Sequence, residues 1–319
     1  MKKLIVMLLA VLLVLTPLMG SAALADDLTI GLSFPSLAFA WFAFLEQAVL
    51  EKAEILGVDV ISLEAEDRVD RQMAIIEDMI IAGVDGVLLV PIEIEAVVPA
   101  VEALNDAGIP VVTVDRRLVE DAPVEILAHV GADNVAGGRN AGHMVVDYLV
   151  EKYGEPRGVV VELYGTPGAG PAIERSQGFN EVMEEYPDIT VETRTGYFSR
   201  VDGMAVMEDI IISIPEFDAV FGANDEMIMG AIEAMEASGL IDLGDVLTVG
   251  FDAIEDALEA IDRGILDASV EQFPGLQASY GFEILVNYMR EGVIPEEKII
   301  LIEPLVITAE NLDEAEKSF

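Results

Sequence analysis

Short β-branched runs alternate along the chain with longer segments whose apolar residues recur at helical spacing. The first such pair predicts a strand over 29–34 and a helix over 40–56. The later predicted strands are 58–62, 86–90, 110–115, 126–131, 158–163, 190–196, 219–223, 246–251, 266–270 and 299–302, and the clearest later helices are 70–82, 96–107, 134–153 and 275–291. Because parallel strands need a helical crossover between them, this order predicts an α/β fold with parallel sheets.

The strand–helix order restarts after residue 131, which favours two similar α/β domains over one long sheet. No Gly/Ser-rich or Pro-rich tether separates the two parts, so we expect short, ordered chain crossings between them. The expected crossings lie near Ala132, Gln272 and Ile302. The expected domains are 26–132 plus 273–302 and 133–272 plus 303–319, with the polar residues 310–319 helical or frayed.

The N-terminal residues have the pattern of a secretory signal. Lys2 and Lys3 precede an apolar run over 4–19, and the small-residue site Ala23-Leu24-Ala25 follows. An uncleaved membrane anchor is the alternative, but the run is shorter than the roughly 20 apolar residues of a spanning helix. We therefore expect cleavage before Asp26 and a periplasmic protein. The chain has no Cys, so a diffusing protein is favoured over a lipoprotein.

Charge and composition exclude several function classes. The chain has 17 Lys plus Arg against 59 Asp plus Glu, a formal net charge of −42, which excludes nucleic-acid binding because phosphate contacts need clustered cations. The absence of Cys excludes disulfides, thiolate nucleophiles and Cys-ligated zinc. The glycine-rich segment 165–170 matches neither a P-loop nor a dinucleotide fingerprint, and His129 and His143 lack metal-site spacing. We expect no cofactor and no metal.

Polar and aromatic residues follow the predicted strands, where parallel sheets bind their ligands. These candidate binding residues are Phe39, Trp41, Phe42, Asp115, Arg116, Arg175, Phe198, Asn224, Asp252 and Gln272. Planar polar groups can bond the hydroxyls around a sugar ring while aromatic rings cover its C–H faces. Taken singly, each residue is equally compatible with a structural role, but the set together indicates a sugar-binding cleft.

Six motifs spread over most of the chain resemble the periplasmic sugar-binding proteins of the ribose-binding type, which share their core with the lactose-repressor family. The motifs are 72–91 (QMAIIEDMIIAGVDGVLLVP), 109–116 (IPVVTVDR), 132–138 (ADNVAGG), 174–179 (ERSQGF), 224–227 (NDEM) and 249–252 (VGFD). The resemblance implies two Rossmann-like domains joined by a three-crossing hinge, the type I periplasmic binding protein fold. It also implies a monomer that captures a ribose-like pentose or a hexose and delivers it to an ABC transporter permease. A chemoreceptor is a second candidate partner.

The resemblance assigns the same ten residues to the ligand site. Trp41 and Phe42 match the aromatic cover from the first domain, Phe198 the cover from the second, and the other positions match polar contacts. The loop after the first strand differs, because Pro35 and Phe39 stand where the ribose-binding pattern has a small hydroxyl residue and an amide. That change suits a different pentose, a deoxy sugar or a hexose with an exposed C–H face.

Three alternatives remain beside a sugar-binding protein. A repressor with the same core would carry an N-terminal DNA-binding motif, where this chain has a secretion pattern. A glycosidase would use Asp115 and Asp252 as its carboxylate pair, but neighbouring Arg and Asn residues are expected to keep both ionised, whereas a general acid needs a raised pKa. The third alternative is the same scaffold binding a non-sugar ligand, such as a nucleoside or a furanosyl signalling molecule.

Overall fold

The computed structural model describes residues 28–214 and 216–316, so the predicted secretion signal lies outside the described residues. The strands are β1 (Thr29–Phe34), β2 (Asp59–Glu64), β3 (Gly86–Leu89), β4 (Val111–Val114), β5 (Ala128–Ala132), β6 (Gly158–Tyr164), β7 (Ile189–Thr195), β8 (Ala219–Gly222), β9 (Leu247–Phe251), β10 (Ala268–Glu271), β11 (Ile299–Ile302) and β12 (Leu305–Ile307). The helices are α1 (Ala40–Leu56), α2 (Val69–Ala82), α3 (Val98–Asp106), α4 (Asn134–Tyr153), α5 (Gly170–Met183), α6 (Arg200–Ser213), α7 (Asp225–Ser238), α8 (Glu255–Asp262) and α9 (Pro274–Glu291). None of these helices is long and apolar enough to cross a membrane.

The strands form two six-stranded sheets with matching orders. The first sheet runs β11-β5-β4-β3-β1-β2, and the second runs β12-β10-β9-β8-β6-β7. All neighbours in the first sheet are parallel, and in the second only β12 pairs antiparallel, with β10. The chain passes between the sheets three times, from β5 to β6, from β10 to β11 and from β11 to β12. The predicted α/β fold with two similar parallel sheets is confirmed.

Strand β12 is the element that the sequence pattern missed. It has three residues, follows Pro304 directly and pairs only with the edge of β10, so it is too short to show a recognisable alternation. The segment predicted as helical or frayed, residues 310–319, contains only a short 3-10 turn at Leu312–Glu314 within its described part. The other boundaries differ from prediction by three residues or fewer, the usual uncertainty at frayed ends.

Helices cover both faces of each sheet, which explains why the central strands β3, β4, β8 and β9 are buried along their whole length. In the first sheet, α1 and α9 bury one face together with Phe34 and Phe282, and α2 and α3 bury the other. In the second, α4 and α5 pack on one face, where the rings of Phe179 and Phe221 stack with centroids 4.6 Å apart. Helices α6, α7 and α8 pack on the opposite face.

Helices α4 and α5 approach each other backbone to backbone through two glycines. A Cβ added at Gly138 would overlap the carbonyl oxygen of Arg175, and one added at Gly178 would overlap that of Val135. Neither backbone oxygen can move aside as a flexible side chain would. The two glycines therefore set the distance between α4 and α5, and with it the position of Arg175.

We predict that Gly178→Ala lowers the free energy of unfolding by about 1–3 kcal/mol, because it overpacks a rigid backbone contact. Chemical denaturation followed by circular dichroism measures the change. Gly244→Ala is the matched control, since its added Cβ would meet nothing closer than the Asp242 carboxylate oxygen at 3.4 Å. Equal stability of both variants and the wild type would contradict the close contact.

Candidate functional site

One cavity between the two sheets is lined by every candidate binding residue. The cavity contains about 430 Å³ of space free of protein atoms, part of which is open to solvent. Its lining consists of Phe39, Trp41, Phe42, Asp67, Asp115, Arg116, Thr166, Pro171, Arg175, Phe198, Asn224, Asp252 and Gln272. The structure therefore brings together the ten residues named from the sequence and adds Asp67, Thr166 and Pro171.

The lining residues lie beyond the carboxyl ends of strands from both sheets. Asp115 and Arg116 follow β4, Asn224 follows β8, Asp252 follows β9 and Gln272 follows β10. Most of these side chains are buried, and Gln272 is only 1% exposed. The crevice at the carboxyl ends of parallel strands is thus the place where the chain concentrates its polar groups, as the topology requires.

Arg175 is the central cation of the site. From helix α5 its Nε donates to Asn134 at 2.8 Å, and Nη1 donates to the Ala223 carbonyl oxygen at 2.7 Å. Nη1 also donates to Asp252 at 3.1 Å, and Nη2 donates to Gln272 at 3.1 Å. The guanidinium also lies over the Phe251 ring, 3.8 Å from its centroid. These partners satisfy a charge that burial would otherwise destabilise.

A second buried ion pair belongs to the first sheet. Arg116 Nε lies 3.5 Å from an Asp115 oxygen, and its Nη1 donates to the Ile92 carbonyl oxygen at 2.8 Å. The Nε of Arg116 is buried without a hydrogen-bond partner among the described residues. Within residues 28–214 and 216–316 the guanidinium makes no other hydrogen bond to a protein acceptor, so Arg116 has donors left for a ligand in the cavity.

Aromatic rings form apolar walls on two sides. Phe42 is packed edge-on by Phe39 and Trp41, at centroid distances of 6.1 and 5.1 Å. Phe198 contributes from the second sheet, and Arg175 lies 5.9 Å from its ring centroid. A Cβ on Gly165 would overlap the Phe198 ring, so the glycine-rich loop after β6 gives this ring its place. The same loop brings Thr166 into the lining.

The expectation that Asp115 and Asp252 keep ordinary pKa values is wrong. Burial raises the pKa of Asp115 to about 6, and the nearby Arg116 and Arg175 only partly oppose this. Burial raises the pKa of Asp252 to about 7, with Arg175 lowering it and Asp115 raising it further. The sequence shows which charges are neighbours but not how completely the folded chain excludes water from them.

Backbone strain is concentrated at this cavity. The non-glycine residues with positive φ in residues 28–214 and 216–316 are Glu66, Asp67, Asp115, Tyr197, Phe198, Asp252, Ala253 and Phe273. Each lines the cavity or directly neighbours a lining residue along the chain. The left-handed conformation is costly for residues other than glycine, and structures tolerate it mainly where function requires a particular placement.

Asp225 positions one side of the site without lining it. Its buried carboxylate accepts hydrogen bonds from Ser269 Oγ at 2.7 Å and from the Ile254 N–H at 2.9 Å. Ser269 Oγ in turn accepts from the Ala253 N–H at 2.9 Å. These bonds hold the turn that carries Asp252. Burial raises the pKa of Asp225 well above its usual value.

Three lining residues were not predicted, because the sequence pattern around them is only weakly informative. Asp67 lies in an acidic loop after β2, where nothing in the spacing separates it from Glu66. Thr166 was visible only as part of the glycine-rich segment 165–170, and Pro171 directly follows that segment. His129 is a structural residue: a ring nitrogen lies 3.0 Å from Thr113 Oγ1, and burial lowers its pKa to about 3. His143 is exposed, and the described residues contain no cluster of three or more potential metal ligands.

Comparison with known proteins places these features in a family. A model described as "Periplasmic binding protein domain" matches residues 30–292. The chain is 38% identical over 250 residues to the ribose import binding protein of Bacillus subtilis (strain 168), covering 78% of each chain. It is 33% identical to the ribose import binding protein of Escherichia coli (strain K12), covering 89% of this chain and 91% of the relative.

A solved structure agrees over nearly the whole chain. The Caulobacter myo-inositol binding protein bound to myo-inositol superposes with a TM-score of 0.84 at 31% identity, covering 91% of this chain and 96% of that one. The resemblance inferred from the six motifs is therefore confirmed. Both the sequence and the architecture show that this chain belongs to the periplasmic binding protein family.

Proposed function

We propose that this protein captures a neutral monosaccharide or cyclic polyol in the cavity between its sheets and delivers it to an ABC importer. The observation that carries the proposal is one cavity whose lining combines two buried guanidinium groups, the buried carboxylate of Asp115 and the partly buried carboxylate of Asp252 with aromatic walls. Such a site bonds the hydroxyls of a ring and covers its C–H faces. Ribose and myo-inositol, which appear in the names of two relatives, are neutral rings with hydroxyls at the edge and C–H faces. The protein binds and releases its ligand without catalysis.

We assign residues 26–132 plus 273–302 to one domain and residues 133–272 plus 303–319 to the other. The three passages of the chain between the two sheets support this division, because each domain then contains one sheet. The three passages form a hinge about which the domains can rotate. In the proposed mechanism the sugar binds one half first, and closure completes the other half of its contacts and excludes water.

Contacts across the cleft support closure as the signal for delivery. The Ile94 N–H from the first domain donates to the Gly168 carbonyl oxygen of the second at 3.3 Å. Arg117 of the first domain forms an ion pair with Glu174 of the second, and Asn134 Nδ2 donates to the other Glu174 oxygen at 3.2 Å. The Ile94–Gly168 and Arg117–Glu174 contacts join the two domains, so an open form would lack them. The Asn134 bond lies within the second domain and holds Glu174 in place for the ion pair.

The remaining parts of the proposal concern location and partners. Membership of the periplasmic binding protein family places the chain in the periplasm. We further propose that residues 1–25 are a secretion signal removed before Asp26, on the pattern of two lysines, an apolar run and a small-residue site. The formal charge of −42 opposes self-association, which favours a monomer. A chemoreceptor that senses the closed form remains a second proposed partner beside the importer.

The ligand is identified by titrating the fluorescence of Trp41, the only Trp in the chain and part of the cavity wall. After unfolding and refolding to remove bound ligand, we expect a saturable change with one neutral sugar or polyol at micromolar concentration. Arg116→Ala should weaken that binding by about 10- to 100-fold, because hydrogen bonds from a charged donor are lost and Asp115 loses its partner. Arg68→Ala, which removes an exposed cation outside the cavity, is the control. A response to nucleosides but not to sugars would contradict the sugar-binding proposal.

We predict that affinity for the sugar falls about tenfold as the pH is lowered from 8 to 5.5. The free protein protonates Asp252 near pH 7 and Asp115 near pH 6, and a ligand hydroxyl donates more strongly to an ionised carboxylate. Protons therefore compete with the ligand as the pH falls through these values. Isothermal titration calorimetry at several pH values measures how steeply the sugar affinity changes with pH. Asp252→Asn cannot titrate and should show a shallower slope, whereas an identical slope would assign the effect to other groups.

We expect Glu174→Gln to weaken ligand binding by roughly 3- to 10-fold, because it removes the ion pair across the cleft and so destabilises the closed form. Small-angle scattering of the ligand-free variant should show a larger maximum dimension than the wild type. Glu181→Gln is the matched control, since Glu181 pairs with Arg139 within the second domain. Equal affinities for the two variants would rule out a role for Glu174 in closure.

A further inference from the structure

Asp67 is the cavity carboxylate that the protein leaves unpaired. It follows β2, lines the cavity and is exposed on its outer side, which places it at the cavity mouth. Within residues 28–214 and 216–316 no hydrogen bond to its carboxylate is formed, whereas Asp252 accepts from Arg175 and from Gln272. Partial burial raises the pKa of Asp67, and the attraction of Arg116 opposes that rise. Its oxygens are thus available to a ligand.

The backbone holds Asp67 in a strained position. Both Glu66 and Asp67 are left-handed, with φ of 50° and 54°. The Asp67 N–H donates to the Pro35 carbonyl oxygen at 2.9 Å, and the Ala65 N–H donates to that of Phe34 at 2.9 Å, so the loop is attached to the end of β1. Two consecutive left-handed residues that are not glycine cost free energy, which a loop without a task would not need to retain.

The charges that line the cavity do not balance. Three carboxylates, Asp67, Asp115 and Asp252, face two guanidinium groups, Arg116 and Arg175. Most N–H groups of Arg175 already bond to protein acceptors. The cavity therefore offers an excess of acceptor oxygens and, when all three carboxylates are ionised, one net negative charge inside an already acidic protein. A ligand that carries a carboxylate or phosphate would meet repulsion there, while hydroxyls supply the donors that these oxygens lack.

We propose that Asp67 is a specificity-determining residue of this site. Its carboxylate accepts a hydrogen bond from a ligand hydroxyl and makes the cavity select neutral polyols over sugars that carry a carboxylate or phosphate. This inference rests on the proposed function, because it assigns a role within the same site. The carboxylate of Asp67 would make the site select by ligand charge. The aromatic walls and the two buried ion pairs do not by themselves determine that charge.

The test uses pairs of ligands that differ in one ionised group: D-ribose and D-ribose 5-phosphate, D-galactose and D-galacturonate, and myo-inositol and myo-inositol 1-phosphate. Calorimetry gives the ratio of the two dissociation constants in each pair. The variant is Asp67→Asn, which keeps the shape and is suited to the left-handed backbone, since Asn tolerates it as Asp does. Glu66→Gln is the matched control, because it removes the same charge from the adjacent residue, which does not line the cavity.

We expect the wild type to bind the neutral member of its best pair at least 100-fold more tightly than the anionic member. Asp67→Asn should weaken neutral binding by about tenfold, the usual effect of losing one hydrogen bond with a charged partner, and should reduce the ratio by a similar factor. Glu66→Gln should change the affinity for the neutral ligand and the ratio of the two dissociation constants by less than about twofold. Thermal unfolding of each variant verifies that the fold is intact.

The outcomes separate this inference from the proposed function. If the wild type binds a neutral sugar and Asp67→Asn leaves the ratio unchanged, the selective role of Asp67 is wrong and the proposed function stands. If Glu66→Gln reduces the ratio as much as Asp67→Asn, the effect is long-range and the role of Asp67 is again wrong. A wild type that prefers the anionic members, or binds no neutral member, overturns both.

Discussion

The guanidinium of Arg175 connects the parts of the second domain that form the binding site. From one helix it reaches the start of α4 through Asn134, the end of β8 through the Ala223 carbonyl, and the residues after β9 and β10. A buried cation requires these partners, because desolvation without them would cost far more than the fold can tolerate. The close approach of α4 and α5 at Gly138 and Gly178 places the guanidinium where it meets all of them.

The first domain repeats this arrangement with fewer bonds. Arg116 is paired with Asp115 and donates to the Ile92 carbonyl oxygen, and the part of the chain that the structure describes offers its other N–H groups no further acceptor. The asymmetry is consistent with a two-step capture in which the well-bonded second domain offers a rigid half-site and the first domain completes the contacts. In the proposed mechanism, the ion pair between Arg117 and Glu174 forms when the two halves meet.

Strain and electrostatics converge on the same residues. Asp67, Asp115, Phe198 and Asp252 combine left-handed backbone with positions in the cavity lining, and the three carboxylates among them have raised pKa values because burial disfavours their charge. A site that retains such groups has not been optimised for stability alone. Under the proposed function, a ligand rich in hydroxyl donors would relieve the unmet acceptors and so bind with both strength and selectivity.

The sequence alone determined the fold and most of the site, because both depend on periodic or locally recognisable patterns. The alternation of strands and helices predicts two parallel sheets, and the polar residues after each strand must converge where the carboxyl ends meet. Trp41, Arg175 and Gln272 were found in this way, although they are far apart along the chain. Strand β12 was not, because three residues are too few to establish a period.

Only the tertiary structure determined how far each charged group is buried away from water. Arg neighbours in the sequence indicated ordinary pKa values for Asp115 and Asp252, yet burial from elements distant in sequence raises both. The position of Asp67 in the cavity lining was hidden for a related reason: in an acidic loop it resembles Glu66, and only the path of the backbone from β2 brings one of the two to the cavity. The packing of the whole chain determines how far a charged group is desolvated and which residue of a loop reaches the cavity. No local sequence pattern predicts either.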